Sequence, residues 1–262
     1  MPELPEVETE RRYLDTHARH QRVTGVRAPH PDVLSGTSAQ ALSRRLKGHA
    51  IESTRRHGKY LFAGFDSGDW LAMHFGMTGS LEYYRHDSKA PDYVAVLFLF
   101  ENGHDLAYIS RRRLGRIALV ADLDEFIAAR RLGVDALEVR AGQFRDLLTS
   151  RRAAVKPRLM DQARIAGIGN EYSDEILFQA RIHPTRFTTS LTGQEIESLY
   201  RTLRKVLKKA VAVRANPDRM PSSWLYPNRT KDARCPVCGG AVRTLRAGGR
   251  TAYYCPKCQP RR

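Results

Sequence analysis

The first residues of the chain, Met1-Pro2-Glu3-Leu4-Pro5-Glu6-Val7-Glu8, hold groups suited to covalent chemistry at an electrophilic carbon. Removal of an initiator methionine ahead of a small residue such as proline exposes a secondary amine at Pro2. A free α-amino group titrates at about 7.7–8, so a useful fraction is unprotonated and nucleophilic at neutral pH. Glu3 and Glu6 are three residues apart, which on a helix places both carboxylates on one face beside that amine, where they can move protons. A proline-rich cap on an acidic helix accounts for the same residues without chemistry, so this stretch alone leaves both readings open.

A second set of reactive side chains closes the sequence. All four cysteines lie at its end, as Cys235-x-x-Cys238 and Cys255-x-x-Cys258. Two such pairs at this separation fit a four-thiolate tetrahedral zinc site, whereas a redox dithiol explains one pair and not two. A closed four-cysteine shell leaves no open coordination position, so the expected zinc is structural. It stiffens a β-like hairpin over Arg243–Tyr254 that presents Arg250 and neighbouring cations to phosphate.

Between these ends stands Ala166-Gly167-Ile168-Gly169-Asn170. Two glycines permit a turn with exposed N–H groups, Asn170 can cap the following helix, and such a helix start suits a phosphate. An ordinary helix-turn-helix corner reads the same way. The neighbouring Lys156, Arg158 and Arg164 shift the reading toward an anion.

The elements that must position these groups divide in two. Residues 4–19 read as a helix, with Pro5 in its first turn and Glu6, Glu8 and Glu10 at its positive end. From about residue 50 to 120 the pattern is one of strands: Tyr60–Phe65 and Trp70–Phe75 flank one turn, and Tyr93–Phe100 and Leu106–Ile109 flank an Asn102-Gly103 hairpin signal. This spacing predicts an antiparallel sandwich. Beyond 120, Asp124–Arg131, Gly142–Arg152, Leu159–Ile165, Ser173–Ala180 and Gly193–Val213 show helical periodicity. The expected division is a β-sandwich domain over 1–122, a linker over 123–138, a helical domain over 139–228 and the cysteine hairpin over 229–262.

Charge follows the same division. The chain carries a net +16, yet residues 1–140 hold 20 Lys and Arg against 19 Asp and Glu, and residues 141–262 hold 24 against 9. A near-neutral domain joined to a strongly basic one points to a polyanionic partner. A merely soluble, arginine-rich surface is the bland alternative, and charge alone separates neither DNA from RNA nor either from an acidic membrane. The first residues show no signal-peptide pattern and the longest apolar run, Val94 to Phe100, is far too short to span a bilayer, so a cytoplasmic location is expected.

Taken in order, these segments resemble the formamidopyrimidine-DNA glycosylase/endonuclease VIII family over nearly the whole chain. The resemblance is carried by Pro2-Glu-Leu-Pro-Glu-Val-Glu8, Arg56-His-Gly-Lys59-Tyr-Leu, His74-Phe-Gly-Met77-Thr-Gly-Ser, Arg112-Arg-Leu114-Gly115, Lys156-Pro-Arg-Leu-Met-Asp161-Gln, Gly167-Ile-Gly-Asn170 and the finger ending Cys258-Gln259. It implies an α+β protein: an N-terminal antiparallel β-sandwich with flanking helices, then a helix–two-turn–helix domain and a four-cysteine zinc finger, with DNA in the cleft between.

The family's roles fall on matching positions. Pro2 attacks C1′ of the damaged nucleotide; Glu3 is the acid that assists sugar opening, and Glu6 helps set the site's protonation. Lys59 serves the first elimination and Arg250 the second. His74, Lys156 and Asn170 match DNA contacts; Met77, Arg112 and Leu114 match residues that fill the gap when a nucleotide is flipped out. The implied activity is a base-excision repair glycosylase with abasic-site lyase activity, acting as a monomer on damaged double-stranded DNA near the nucleoid. Formamidopyrimidines are the expected lesions, with oxidised pyrimidines beside them and 8-oxoguanine weaker.

Three departures accompany the resemblance. Leu114 stands where an aromatic wedge is common. The usual Lys-His-Asp-His-Val segment reads Ala90-Pro91-Asp92-Tyr93-Val94. The stretch from Ala210 to Arg234 is short and lacks the family's Gly-rich segment. A DNA-binding paralogue without catalysis is countered by the intact Pro2, Glu3, Lys59 and Arg250, and a zinc-ribbon RNA factor leaves the first 120 residues unexplained.

Overall fold

Eight strands between residues 23 and 120 form two four-stranded antiparallel sheets, seen in a computed structural model that describes residues 1–230 and 232–261. The strands are β1 (Val23–Arg27), β2 (Ile51–His57), β3 (Tyr60–Phe65), β4 (Trp70–His74), β5 (Ser80–Arg85), β6 (Val94–Phe100), β7 (His104–Ile109) and β8 (Arg116–Val120). One sheet runs β1-β6-β7-β5 and the other β2-β3-β4-β8. Inward side chains of both meet in one core: Leu61, Ala63, Phe65, Leu71, Met73 and Ile117 from the second, Val96, Phe98, Phe100, Leu106 and Tyr108 from the first. Burial of each leucine, isoleucine, valine, phenylalanine or methionine among them stabilises the fold by about 1.5–3 kcal/mol. The expected sandwich is therefore present.

Helix α1 (Leu4–His17) lies against this sandwich. Arg11 links Glu8, Asp15 and Thr54 of β2, Glu10 accepts the N–H of Leu81 at 2.9 Å, and the Tyr13 hydroxyl accepts that of Tyr83 at 2.9 Å. Helix α2 (Ala39–Leu46) is capped by Ser38, whose side chain accepts from Ala41 N, and it buries Leu42 and Leu46. Helix α3 (Leu123–Ala129) is capped by Asp122 in the same way.

The chain divides between Arg130 and Arg131 into two compact units, with Glu3–Pro5 counted in the second. The 123–138 segment, expected as a linker, is itself ordered: it holds α3 and the two-residue strand β9 (Val134–Asp135), which pairs in parallel with β10 (Ile165–Ala166). The second unit is helical: α4 (Ala141–Thr149), α5 (Val155–Leu159), α6 (Asn170–Gln179) and α7 (Gly193–Ala212). A capping box between Thr192 and Glu195 starts α7, whose Leu199, Leu203, Val206 and Leu207 supply much of this unit's core. Leu4 is buried in that same core.

The helix expected over 159–165 lies instead at 155–159. Pro157 does not end a helix here; it sits in the first turn of α5, where its missing N–H costs nothing. The following residues turn instead, with Asp161 accepting the N–H of Ala163 at 3.1 Å and Gln162 donating to the carbonyls of Met160 and Ile168.

Near the end of the chain, β11 (Arg243–Ala247) and β12 (Arg250–Tyr254) form an antiparallel hairpin, joined by Gly248-Gly249 with φ of 58° and 75°. Two successive left-handed residues make the tight turn whose twist matches the flanking strands. No helix among the described residues is long and apolar enough to cross a membrane.

Candidate active site

In the first unit, Pro2 and Glu6 are half-buried at the start of the chain. Lys59 occupies the two-residue turn between β2 and β3, where Gly58 takes a φ of 56°. A lysine in a hairpin turn normally reaches into water, yet Lys59 is only 7% exposed. Arg56 orders the turn by donating to the Gly58 carbonyl at 3.1 Å.

His74 ends β4, opposite Tyr60. Burial, then the charges of Lys59, Arg130 and Arg116, push its pKa down to about 4. The imidazole is thus neutral near pH 7. Its Nδ1 accepts the N–H of Gly76 at 3.2 Å, which leaves Nε2 as the protonated nitrogen and a hydrogen-bond donor. The His74 carbonyl is fixed by the Tyr108 hydroxyl at 2.7 Å. Gly115 makes room for that hydroxyl, since a Cβ there would lie 1.8 Å from it.

Two loops meet beside His74. Gly76 has φ +61°, and a Cβ on it would stand 2.5 Å from the Leu114 carbonyl carbon. The 76–79 and 111–115 loops therefore pack backbone to backbone, which only glycine allows. Their side chains point to solvent: Met77 is 38% exposed, Leu114 is 48% exposed, and Arg112 is exposed too.

In the second unit, Glu3 is buried and its carboxylate caps the start of α6. Oε2 accepts the N–H of Gly169 at 2.6 Å and of Tyr172 at 3.3 Å, and Oε1 that of Glu171 at 2.8 Å. Asn170, expected from the sequence to cap this helix, does not; Gly169 occupies the cap position and the capping oxygens come from Glu3, 166 residues away. The reason is geometric: Leu4 N donates to the Gly167 carbonyl at 3.0 Å, and Gly167, with φ +115°, lies so near Leu4 that a Cβ would meet Leu4 Cδ1 at 2.7 Å. Docking Leu4 there delivers Glu3 to the positive helix end. The expected exposed N–H groups of this turn are accordingly engaged at Gly169 and also at Gly167, which donates to Gln162 Oε1 at 3.0 Å.

Lys156, expected to meet DNA, is instead fully buried, with Nζ paired to Asp174 and donating to the Asn170 carbonyl at 3.0 Å. A buried charge needs such pairing. Asn170 keeps hydrogen-bonding capacity, because its buried side-chain oxygen has no partner among the described residues.

Sequence reasoning missed the acidic face of α6. Asp174 also accepts from Arg229 at 3.0 Å and from the Tyr253 N–H of β12 at 3.1 Å. Glu175 accepts the N–H of Tyr226 at 2.7 Å, and Glu171 binds the Tyr226 hydroxyl and Arg229. One to two turns of one helix thus tie down the pre-finger segment and the finger. Spacing of i, i+3 and i+4 was the available signal, though solvated faces look alike.

The four cysteine sulfurs lie within 4.8 Å of one another, with Cys235–Cys258 at 3.8 Å and Cys238–Cys255 at 3.5 Å. Sulfurs at about 2.3 Å from a tetrahedral zinc stand about 3.8 Å apart. The residues present fit the ion. Gln259 secures the finger, donating to the Ile182 carbonyl at 2.8 Å and accepting from Cys255 N at 3.0 Å. At the hairpin tip, Gly248 packs on the Pro157 ring, where a Cβ would come within 2.6 Å, and Arg250 follows it, exposed.

A sandwich led by a proline, a helix–two-turn–helix element and a zinc hairpin define a DNA-binding repair enzyme. Family models agree in each part: the formamidopyrimidine-DNA glycosylase N-terminal domain matches residues 1–117, its H2TH domain 132–220, and the zinc finger found in FPG and IleRS 234–261. The formamidopyrimidine-DNA glycosylases of Pelotomaculum thermopropionicum and Thermomicrobium roseum are 36% and 38% identical, each over 99% of both chains. That of Arabidopsis thaliana is 33% identical over 99% of this chain and 71% of its own length. Among solved structures, the Lactococcus lactis Fpg bound to abasic-site DNA is 26% identical with a TM-score of 0.89, and the same protein with N7-benzyl-Fapy-dG DNA is 27% identical with a TM-score of 0.89; each match covers 99% of this chain and 100% of the other. The chain belongs to the formamidopyrimidine-DNA glycosylase family, base-excision repair enzymes with DNA glycosylase and abasic-site lyase activities, and carries that family's structural zinc finger.

Proposed function

We propose that Pro2, freed of Met1, is the nucleophile, and that Glu3 is the acid that assists it. The observation that carries the assignment of Pro2 is the capture of Glu3 by three N–H groups at the start of α6. It fixes the residue covalently next to Pro2, so the amine is held at a defined point rather than on a fraying terminus. The Pro2 nitrogen attacks C1′ of the damaged nucleotide, the base departs with the glycosidic electron pair, and the amine proton is lost; the C1′–O4′ bond then breaks as Glu3 protonates O4′, which leaves C1′ doubly bonded to the Pro2 nitrogen. The resulting iminium acidifies C2′; loss of that proton expels the 3′ phosphate, and a second elimination expels the 5′ phosphate. Glu6 helps set protonation, buried Lys59 serves the first elimination and exposed Arg250 the second. Neutral His74 offers Nε2–H to a DNA oxygen, and the Asn170 side chain offers its amide to a phosphate. Lys156 orients Asn170 and does not touch DNA itself. Met77, Arg112 and Leu114 fill the gap left by the flipped nucleotide, which suits two apolar side chains exposed on abutting loops.

The lesion class favours ring-opened purines and oxidised pyrimidines over 8-oxoguanine. The pre-finger segment supports this: it forms short 3-10 turns at Pro217–Arg219 and Tyr226–Asn228, buries Met220, Trp224 and Leu225, and is held by Glu171, Asp174 and Glu175. A segment docked in this way is not free to close over a purine. The enzyme acts as a monomer in the cytoplasm, at the nucleoid, a location that its net charge of +16 suits.

Borohydride reduction on an abasic duplex tests the reading. The expected adduct maps to the Pro2 nitrogen, and a retained Met1 or an N-terminal tag abolishes it. An adduct on Lys59 instead overturns the assignment.

A further inference from the structure

Tyr93 holds a strained backbone conformation that burial of its side chain does not offset. It precedes β6 with φ +62°, in the left-handed region that bulky side chains rarely enter. Such strain persists where surroundings impose it, and it gathers at working sites. Here the core gives nothing in return, because the side chain is 53% exposed. What fixes the residue is its backbone: its carbonyl accepts the N–H of Ser110 at 3.0 Å, and the β6–β7 register shifts between Val94 and Val96 just beyond it. Glycine or asparagine could make the same bond with less strain.

The ring is also placed with care. The Arg111 guanidinium lies over it, 5.3 Å from its centroid. Ser110 opens the turn closed by Arg113 N donating to the Ser110 carbonyl at 3.0 Å, and this turn carries Arg112 and leads into Leu114. An exposed aromatic stacked with a guanidinium is the pairing that holds unstacked bases and the phosphates beside them. A flipped-out nucleotide leaves unstacked neighbours, and Leu114 has no π face to offer them.

We propose that Tyr93 is a DNA-contacting residue that stacks on an unstacked base flanking the lesion, with Arg111 holding both the ring and the adjoining phosphate. The inference rests on the gap-filling role proposed above for the loop of Arg112 and Leu114.

The experiment compares full-length protein with Tyr93→Gly, Tyr93→Asn and Tyr93→Phe. Each is measured for thermal midpoint, for affinity to a duplex holding a tetrahydrofuran abasic analogue, and for affinity to an undamaged duplex. 2-Aminopurine beside the analogue reports stacking. The expected result is that Tyr93→Gly and Tyr93→Asn melt no lower than the parent, yet bind the abasic duplex at least about tenfold more weakly and lose 2-aminopurine quenching, with a smaller loss on undamaged DNA. Tyr93→Phe recovers what they lose. Unchanged abasic-duplex affinity and quenching in both ring-deleting variants overturns the role of Tyr93 alone. A parent protein that does not prefer the abasic duplex overturns the functional reading and this inference with it.

Discussion

The Glu3 carboxylate accepts the N–H of Gly169 at 2.6 Å, across 166 residues of sequence. One side chain thereby caps a helix and fixes the backbone next to Pro2. Glu3→Gln keeps the shape but turns an amide NH₂ toward backbone donors. It should lower stability by about 1–3 kcal/mol through the lost charge-assisted bonds. If Glu3 also acts as an acid, excision of formamidopyrimidine should fall by about a hundredfold or more, while trapping on a preformed abasic site falls much less. Equal losses in the two assays would assign Glu3 a structural task only.

Glu10 supplies a pH test. Burial, opposed only in part by the Leu81 N–H, raises its pKa from 4.5 to about 7. Between these values the folded state holds a proton that the unfolded state has released, so the stability it contributes is full below pH 4.5 and is lost as pH rises through 7. Glu10→Gln should abolish that loss and be more stable than the parent at pH 8, by about 1–3 kcal/mol. Glu175, also raised to about 7, titrates in both proteins and cancels in the difference. Parallel melting-temperature profiles from pH 5 to 8.5 would refute the assignment.

Metal content gives the third expectation. One zinc per chain should be found, and Cys238→Ser should lose it. The finger then no longer holds Arg250 beside α5, and DNA affinity should drop by roughly tenfold or more. Full affinity in the metal-free variant, measured alongside metal analysis, would remove the finger from DNA binding.

Lesion choice gives the fourth. Single-turnover rates on duplexes with 8-oxoguanine opposite cytosine should lie about tenfold or more below those for formamidopyrimidine and dihydrouracil, for want of polar contacts around the purine. Comparable rates would mean that the docked pre-finger segment does not limit the substrate.

Much of this protein could be read before its structure was seen, for local reasons. The cysteine pairs and the N-terminal motif carry their chemistry in spacing alone. Tyr60–Phe65 and Val94–Phe100 announce buried strands by composition. Ile51–His57 and Ser80–Arg85 do not, because their polar residues meet the charged side of α1, as Thr54 meets Arg11, and alternation is disguised. Pro157 misplaced a helix because proline reads alike as a stop and as a first-turn residue. The cap of α6 was illegible for a different reason: its oxygens arrive from the opposite end of the chain, and no local rule can see them. The hub at Asp174 is likewise tertiary, joining α5, Arg229 and the finger through one buried carboxylate.

β5 is the last strand of its sheet, paired with β7 on one side only. On its other side stand Glu10 and Tyr13, which take up the N–H groups of Leu81 and Tyr83. An uncovered rim of this kind templates pairing with another chain. Helix α1, which follows Pro2, therefore also guards this rim against self-association. Damage that unseats it should leave the N–H groups of Leu81 and Tyr83 without these partners and open this edge of the sheet to aggregation.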